Sequence, residues 1–573
     1  VGRVKAVTRL LGSPGPAGLA ALTVAVCAAL AIDDGASVLP AGGLRASGAV
    51  RPEPLAGSPF CPRTPARTPP YAERVRWFRR QAAPGPGACA SAKPATGSVP
   101  SVPQDTWPQP ASDAPATAAP QPTPGPTADD QPAPGGRGPS APAPGAETAG
   151  DPYFPQLGNG GYDATNYDVT LNYQPADRSI GATTVISATA QRDLSSFDLD
   201  YRGPQLRSVS VDNAPAAARR TAAKLVITPA RPLAQGSQFT VTVRYAGVPH
   251  PVGNPDLGTY GWVPTRDGAV VLSEPDGAST WLPVNDHPSD KATYTFRVTV
   301  PSDLQVMANG TPDEPVTSGG LTTYVWHERA PMASYLATIA IGHFQVRRGM
   351  AGRIPVITAV DPQYGRAADH LYRTTVAVLK WEASKFGPYP FDSAGGIIDD
   401  PRLGYALETQ ERPVFAGFAP DDDFVVHELA HQWYGDSVSV STWQDIWLNE
   451  GFATYAEWLW HERKGRDSAK KTFARYYRQP ANSPIFYPPP ARPGNGQLFS
   501  FSVYIRGAMC LQALRDRVGT STFFRILRAW AAQHRYGNAT TEQFEALAEQ
   551  ISQRRLGHLF DVWLNGRGKP KSW

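Results

Sequence analysis

Proline is unevenly spread, and that decides how much of this chain can fold. Of 59 Pro in 573 residues, 27 fall in residues 1–150 and 32 in the remaining 423. From about Asp33 to Gly150 the sequence is dominated by Pro, Ala, Gly, Ser and Thr. Such a stretch has too few large apolar groups to offset the entropy of ordering it. Residues 33–150 are therefore expected to be a disordered, partly polyproline-like tether. The basic island Tyr71–Arg80 within it has no functional account. Ahead of it, Arg3, Lys5 and Arg9 precede an apolar stretch, Ala17 to Ile32, followed by Asp33-Asp34. Ala29-Leu30-Ala31 offers a small-x-small cleavage site. Residues 1–32 read as a secretory signal peptide or, if retained, a signal anchor. The expectation is an exported protein, secreted or attached to the cell surface through this region. The apolar stretch is shorter than the ~20 residues a membrane span needs, and nothing later resembles a spanning helix.

The remaining residues divide by texture. Tyr167–Tyr173, Phe239–Tyr245 and Tyr294–Val300 alternate apolar and polar side chains, with Gly, Pro, Asn and Asp at short intervals between such runs. Residues 151–349 are expected to form an all-β domain. Beyond the apolar run Ile354–Val360, apolar residues recur at three-to-four spacing in Ala367–Phe386, Asp423–Tyr434, Asn449–His461, Phe501–Arg517 and Thr541–Arg554. Residues 350–573 are expected to be mainly helical, with strands at the start. The chain is thus multidomain, an all-β domain followed by an α+β domain behind a disordered N-terminal region. A net charge of +4 excludes a dedicated nucleic-acid binder. Of four Cys, only Cys510 lies in the foldable part. It reads as a small buried hydrophobe, and no Cys spacing offers a thiolate metal site.

Chemistry concentrates at His427-Glu428-Leu429-Ala430-His431-Gln432-Trp433. On a helix, His427 and His431 project from one face and can reach one ion. Asp421-Asp422-Asp423 precede them, as suits a helix N-terminus. Glu428 can face a water on that ion instead of ligating it. Glu450 lies 19 residues after His431 in Trp447-Leu448-Asn449-Glu450-Gly451-Phe452-Ala453, at the start of another apolar helix. Two imidazoles and a carboxylate with one position left open form a catalytic zinc set. A closed structural site would take four protein ligands. Trp433, Trp443 and Trp447 read as core.

The H-E-L-A-H-Q-W run, followed after 18 residues by the Glu of W-L-N-E-G-F-A, resembles the gluzincin zinc metallopeptidases of the aminopeptidase N family. Further motifs agree in order and spacing over residues 152–573. They are Trp281–Pro288 with Lys291-Ala292, Phe386–Phe391, Gly404–Thr409 in place of the family's G-A-M-E-N, and Val503–Ala508. The resemblance implies a saddle-like N-terminal β sheet and a thermolysin-like catalytic domain. It also implies one Zn²⁺ per chain held by His427, His431 and Glu450. Glu428 would be the general base and Tyr504 the oxyanion donor. Glu408 and Glu274 would bind the substrate's amine, and backbone of Ala406 and Leu407 would line the cleft. Glu457, on the face of Glu450, is either a residue that orients a ligand histidine or a plain surface acid.

Three departures stand out: Leu407 and Thr409 replace the motif's Met and Asn, Tyr405 is bulky, and Ser279 stands where many members have Arg. The chain ends where larger members continue into a C-terminal helical domain, so a short two-domain form is expected. The implied activity is removal of N-terminal residues from peptides, with peptide partners, no nucleic acid and no membrane insertion of the folded domains. A zinc endopeptidase and a surface binding protein with a vestigial zinc site are the alternatives.

Overall fold

The structure, a computed structural model, describes residues 141–254 and 257–573. The expected signal (1–32) and nearly all of the expected tether lie outside the described residues.

A nine-stranded sheet forms the backbone of the N-terminal half. Tyr162–Gln174, Ser179–Ala190 and Gln238–Gly247 pair as antiparallel neighbours, and Lys291–Pro301 joins Tyr162–Gln174 in parallel. Strict alternation produces this. In Ser179–Ala190 and Lys291–Pro301 every second residue is buried along the whole strand, so one face seals a core and the other faces water. A five-stranded sheet carries Gly258–Pro264, Ala269–Leu272 and Ile339–Gly342. Its Ala269–Leu272 strand is wholly buried and runs straight into Glu274.

Two expected boundaries shift. Ala143–Pro144, placed in the tether, pairs in parallel with Leu194–Asp200, and Gly145 N–H donates to the Ser196 carbonyl at 2.8 Å. A two-residue edge strand takes its order from its neighbour, which composition does not register. Likewise, the expected break at 349/350 falls inside the strand Gln345–Ala351, which pairs with Ile354–Val360 along its full length. That hairpin opens the second half's own five-stranded sheet, which ends at an edge strand, Tyr405–Leu407.

Eight helices follow among the described residues: α1 Ala368–Phe386, α2 Asp422–Ala430, α3 Trp447–Arg463, α4 Ala469–Tyr477, α5 Gly507–Val518, α6 Thr520–Gln533, α7 Thr541–Ser552 and α8 Gly557–Phe560. The expected Phe501–Arg517 helix is realised as a π-helical turn, Ser502–Arg506, leading into α5. Helix α2 stops at Ala430, four residues short of expectation, because the chain turns at once: Asp436 N–H returns to the His431 carbonyl at 2.9 Å. Trp433, Trp443, Trp447 and Cys510 are buried, as expected of core.

The two halves are fastened by polar contacts as well as packing. Lys291, on the central β sheet, donates to the carbonyls of Asp436, Ser437 and Gly537 at 2.7, 3.2 and 3.4 Å. Burial pulls its ammonium down to about 7. The fully buried Arg412 donates to the Gly310 carbonyl at 2.7 Å and lies 4.9 Å from the Trp326 ring centroid. No described helix is long and apolar enough to cross a membrane.

Candidate metal centre and its surroundings

Helix α2 is started by its own acids. Asp421 caps it, accepting from Asp423 and Phe424 N–H at 3.1 Å each, and Asp422 and Asp423 occupy the first turn. Val425, Val426, Leu429 and Ala430 bury one side, which turns His427 and His431 toward α3. Their ring centroids lie 4.9 Å apart. Glu450, in the first turn of α3, completes a cluster in which one donor atom from each residue lies within 4.8 Å of the others.

Each imidazole is oriented from behind. His427 Nδ1 is 2.6 Å from Glu457 Oε1, and His431 Nδ1 is 3.1 Å from the Tyr434 carbonyl. Both Nε2 atoms therefore face Glu450 Oε2, at 3.1 Å and 3.6 Å. This is the geometry of metal-ligating histidines held by outer partners, and it places Glu457 behind His427 and not at a free surface. Burial alone would raise the Glu450 carboxyl, but His431 and His427 overcome it and hold it at about 2. Two imidazoles and one carboxylate, all buried or half-buried, are a donor set that fits Zn²⁺.

Glu428 points to the neighbouring space. One of its oxygens lies within 4.8 Å of donor atoms of Glu408 and His431. Burial pushes its carboxyl up to about 7 against the pull of both histidines. Glu274, Glu408 and Glu450 form a third such cluster. Glu274 and Glu408 each carry a buried Oε1 that no described group satisfies. Burial first, then the mutual repulsion of the acids, raises Glu274. Ala406 and Leu407 sit in the edge strand, whose inner side pairs with Val414–Ala416, and the Tyr405 hydroxyl reaches the Thr259 carbonyl at 2.8 Å.

Tyr504 rides on the π-helical turn, its ring roughly parallel to that of His427 with centroids 5.9 Å apart. Such turns interrupt helices at functional sites. Three residues that the sequence reading left without a role hold this region. Arg506, fully buried, donates to the carbonyls of Phe486, Val562 and Gly566 at 2.7, 2.8 and 2.6 Å, which pins the turn carrying Tyr504. Gly451 and Gly507 meet backbone to backbone where α3 crosses α5: a Cβ on Gly451 would lie 3.0 Å from the Gly507 Cα. The only sequence signal for the pair is a glycine inside each of two helical patterns.

The scaffold and donor set are those of a zinc metallopeptidase. Comparison with known proteins agrees. Residues 163–336 match the Peptidase M1 N-terminal domain, and residues 421–563 match the Peptidase family M1 domain. An M1 zinc metallopeptidase from Deinococcus radiodurans is 30% identical with a TM-score of 0.65, covering 74% of this chain and 98% of that one. A two-domain M1 zinc metallopeptidase bound to L-arginine is similar to the same extent. Curated relatives include Aminopeptidase M1-C of Oryza sativa subsp. japonica, 26% identical over 53% of this chain, and Probable aminopeptidase 2 of Sulfurisphaera tokodaii, 28% identical over 51%. The match spans only 38% and 40% of those two proteins. This chain belongs to the M1 family of zinc metallopeptidases.

Proposed function

We propose that the chain is a zinc-dependent aminopeptidase that hydrolyses the N-terminal bond of peptides. His427, His431 and Glu450 would hold the ion, which when bound polarises the scissile carbonyl and lowers the pKa of a water toward ~7. Glu428 accepts that water's proton and passes it to the departing amine, its carboxylate lying beside the His431 donor atom. Tyr504 donates its hydroxyl where negative charge develops on the carbonyl oxygen. Glu274 and Glu408 bind the substrate's α-ammonium. The edge strand Tyr405–Leu407 lies alongside the substrate backbone, as an extended peptide adds to a sheet edge.

One observation carries the exopeptidase reading over an endopeptidase. Glu274 and Glu408 each bring an oxygen within 4.8 Å of a Glu450 oxygen, and each keeps an oxygen unsatisfied by any described group. Paired acids so near the metal donors favour a cation there, and the backbone of a peptide interior, unlike a free N-terminus, brings none. The test is hydrolysis of aminoacyl anilides against their N-acetyl forms by the zinc-loaded full chain. Turnover of the free amines alone is expected; comparable turnover of both would overturn the proposal and leave an endopeptidase. Export belongs to the same proposal and is supported by the charged, then apolar, N-terminal segment. Fractionation should recover the chain outside the cytoplasm.

A further inference from the structure

Gln432, the residue after the second histidine, is fully buried and has no part in the chemistry above. Its side-chain amide faces the loop that presents Glu408. Gln432 Oε1 accepts from Glu411 N–H at 2.7 Å, and Gln432 Nε2 donates to the Glu408 carbonyl at 3.2 Å. The Tyr389 hydroxyl donates to the same Oε1 at 3.4 Å.

The ends of that loop are held to the β half: Tyr405 to Thr259 at the start, Arg412 to Gly310 at the finish. Its middle is bonded to the metal helix's end by this amide. Glu411 sits at φ +65°, a conformation that side-chain-bearing residues rarely adopt. Its carboxylate is engaged by Asp392 and Ser393 N–H at 3.2 and 3.3 Å, so the strained turn is fixed on both sides.

An aminopeptidase must hold the ammonium of the same residue that carries the scissile carbonyl. The spacing between Glu408 and the His431 end of α2 therefore matters to a fraction of an ångström. We infer that Gln432 is the positioning residue that sets this spacing, tying the amine-recognition loop to the metal helix through both ends of one amide. The assignment rests on the aminopeptidase reading.

The test compares binding of leucine hydroxamate and N-acetyl-leucine hydroxamate, both of which take hold of zinc, by full-length wild type, Gln432→Met and Gln432→Asn. Met keeps the length without either hydrogen bond. Asn keeps the amide but draws it out of reach. The preference for the free amine should fall at least ~10-fold in both variants, while zinc content and affinity for the acetylated probe stay within about twofold. An unchanged preference in a zinc-replete variant overturns the assignment. Loss of zinc from both variants also overturns it, because the amide would then be holding the metal helix and not the loop. A wild type that does not distinguish the two probes is a different outcome: the aminopeptidase reading itself fails.

Discussion

Under the proposed chemistry Glu428 and Tyr504 act on the same reaction from different elements, and single-atom changes separate their roles. Glu428→Gln should retain about one zinc per chain and lose ~10²–10⁴ in kcat, since the amide cannot accept the proton. Tyr504→Phe should also keep the metal and lose ~10²–10³, the usual effect of deleting one oxyanion donor. Metal analysis alongside steady-state kinetics reads both. That His427 and His431 stand together was legible in sequence because side chains four apart on a helix share a face. Gln432 and Arg506 were not, because their work is done by hydrogen bonds to carbonyls and amides from distant segments, which leave no periodic trace. Glu457 was undecided for the same reason: the sequence shows its helix face but not which ring stands opposite.

A second residue-scale expectation lies away from the chemistry. Burial, with the nearby Asp163 charge, raises the Asp290 carboxyl to about 8. The folded state thus binds a proton that the unfolded chain releases near pH 4. That contribution is complete below the unfolded pKa and is lost as pH rises toward 8. Asp290→Asn removes the ionisation. Compared with wild type, the variant should gain at least ~2 °C in thermal midpoint on going from pH 5 to pH 8.5, the response to about 1 kcal/mol in a domain of this size. A constant difference across that range would show that Asp290 does not titrate in the fold.

Among elements, the crossing of α3 and α5 sets the distance between Glu450 and Tyr504. Gly451 follows Glu450 directly and meets Gly507 where the π-helical turn becomes α5. A methyl at Gly451 has a backbone, not a yielding side chain, in front of it. Gly451→Ala should therefore destabilise the protein by ~1–3 kcal/mol through overpacking. It should also depress kcat more than KM, as Tyr504 moves off its mark; denaturant unfolding and kinetics measure the two effects. Long alternating strands and the capped helix α2 were readable because their buried faces repeat. The short strand Ala143–Pro144 and the π-helical turn were not. Each is one or two residues' departure from a period, fixed by what packs against it.

For the whole molecule, the metal should matter to stability as well as to turnover. Four glutamates, 274, 408, 428 and 450, converge around the two histidines, and a bound cation offsets charges that burial otherwise penalises. Ligation of the native state alone stabilises it by ~4 kcal/mol at a thousandfold excess over Kd. A chelator should lower the thermal midpoint and abolish hydrolysis, and added zinc should restore both. An unchanged midpoint on full zinc removal would mean that the acids are accommodated by protonation alone.

The positions of the site residues along the chain divide its assembly into two stages. His427, His431 and Glu450 come from two neighbouring helices and can gather with little loop to close. Glu274 and Glu408 are far apart in sequence and meet only when the β half seats against the helices through Lys291, Arg412 and Tyr405. Contacts of such long range form late or last. Under the proposed chemistry, a molecule with its helices packed but its β wall still loose would hold a working hydrolytic centre and half a ruler. Restraint to chain ends would then be the last property acquired in folding and the first lost on local unfolding.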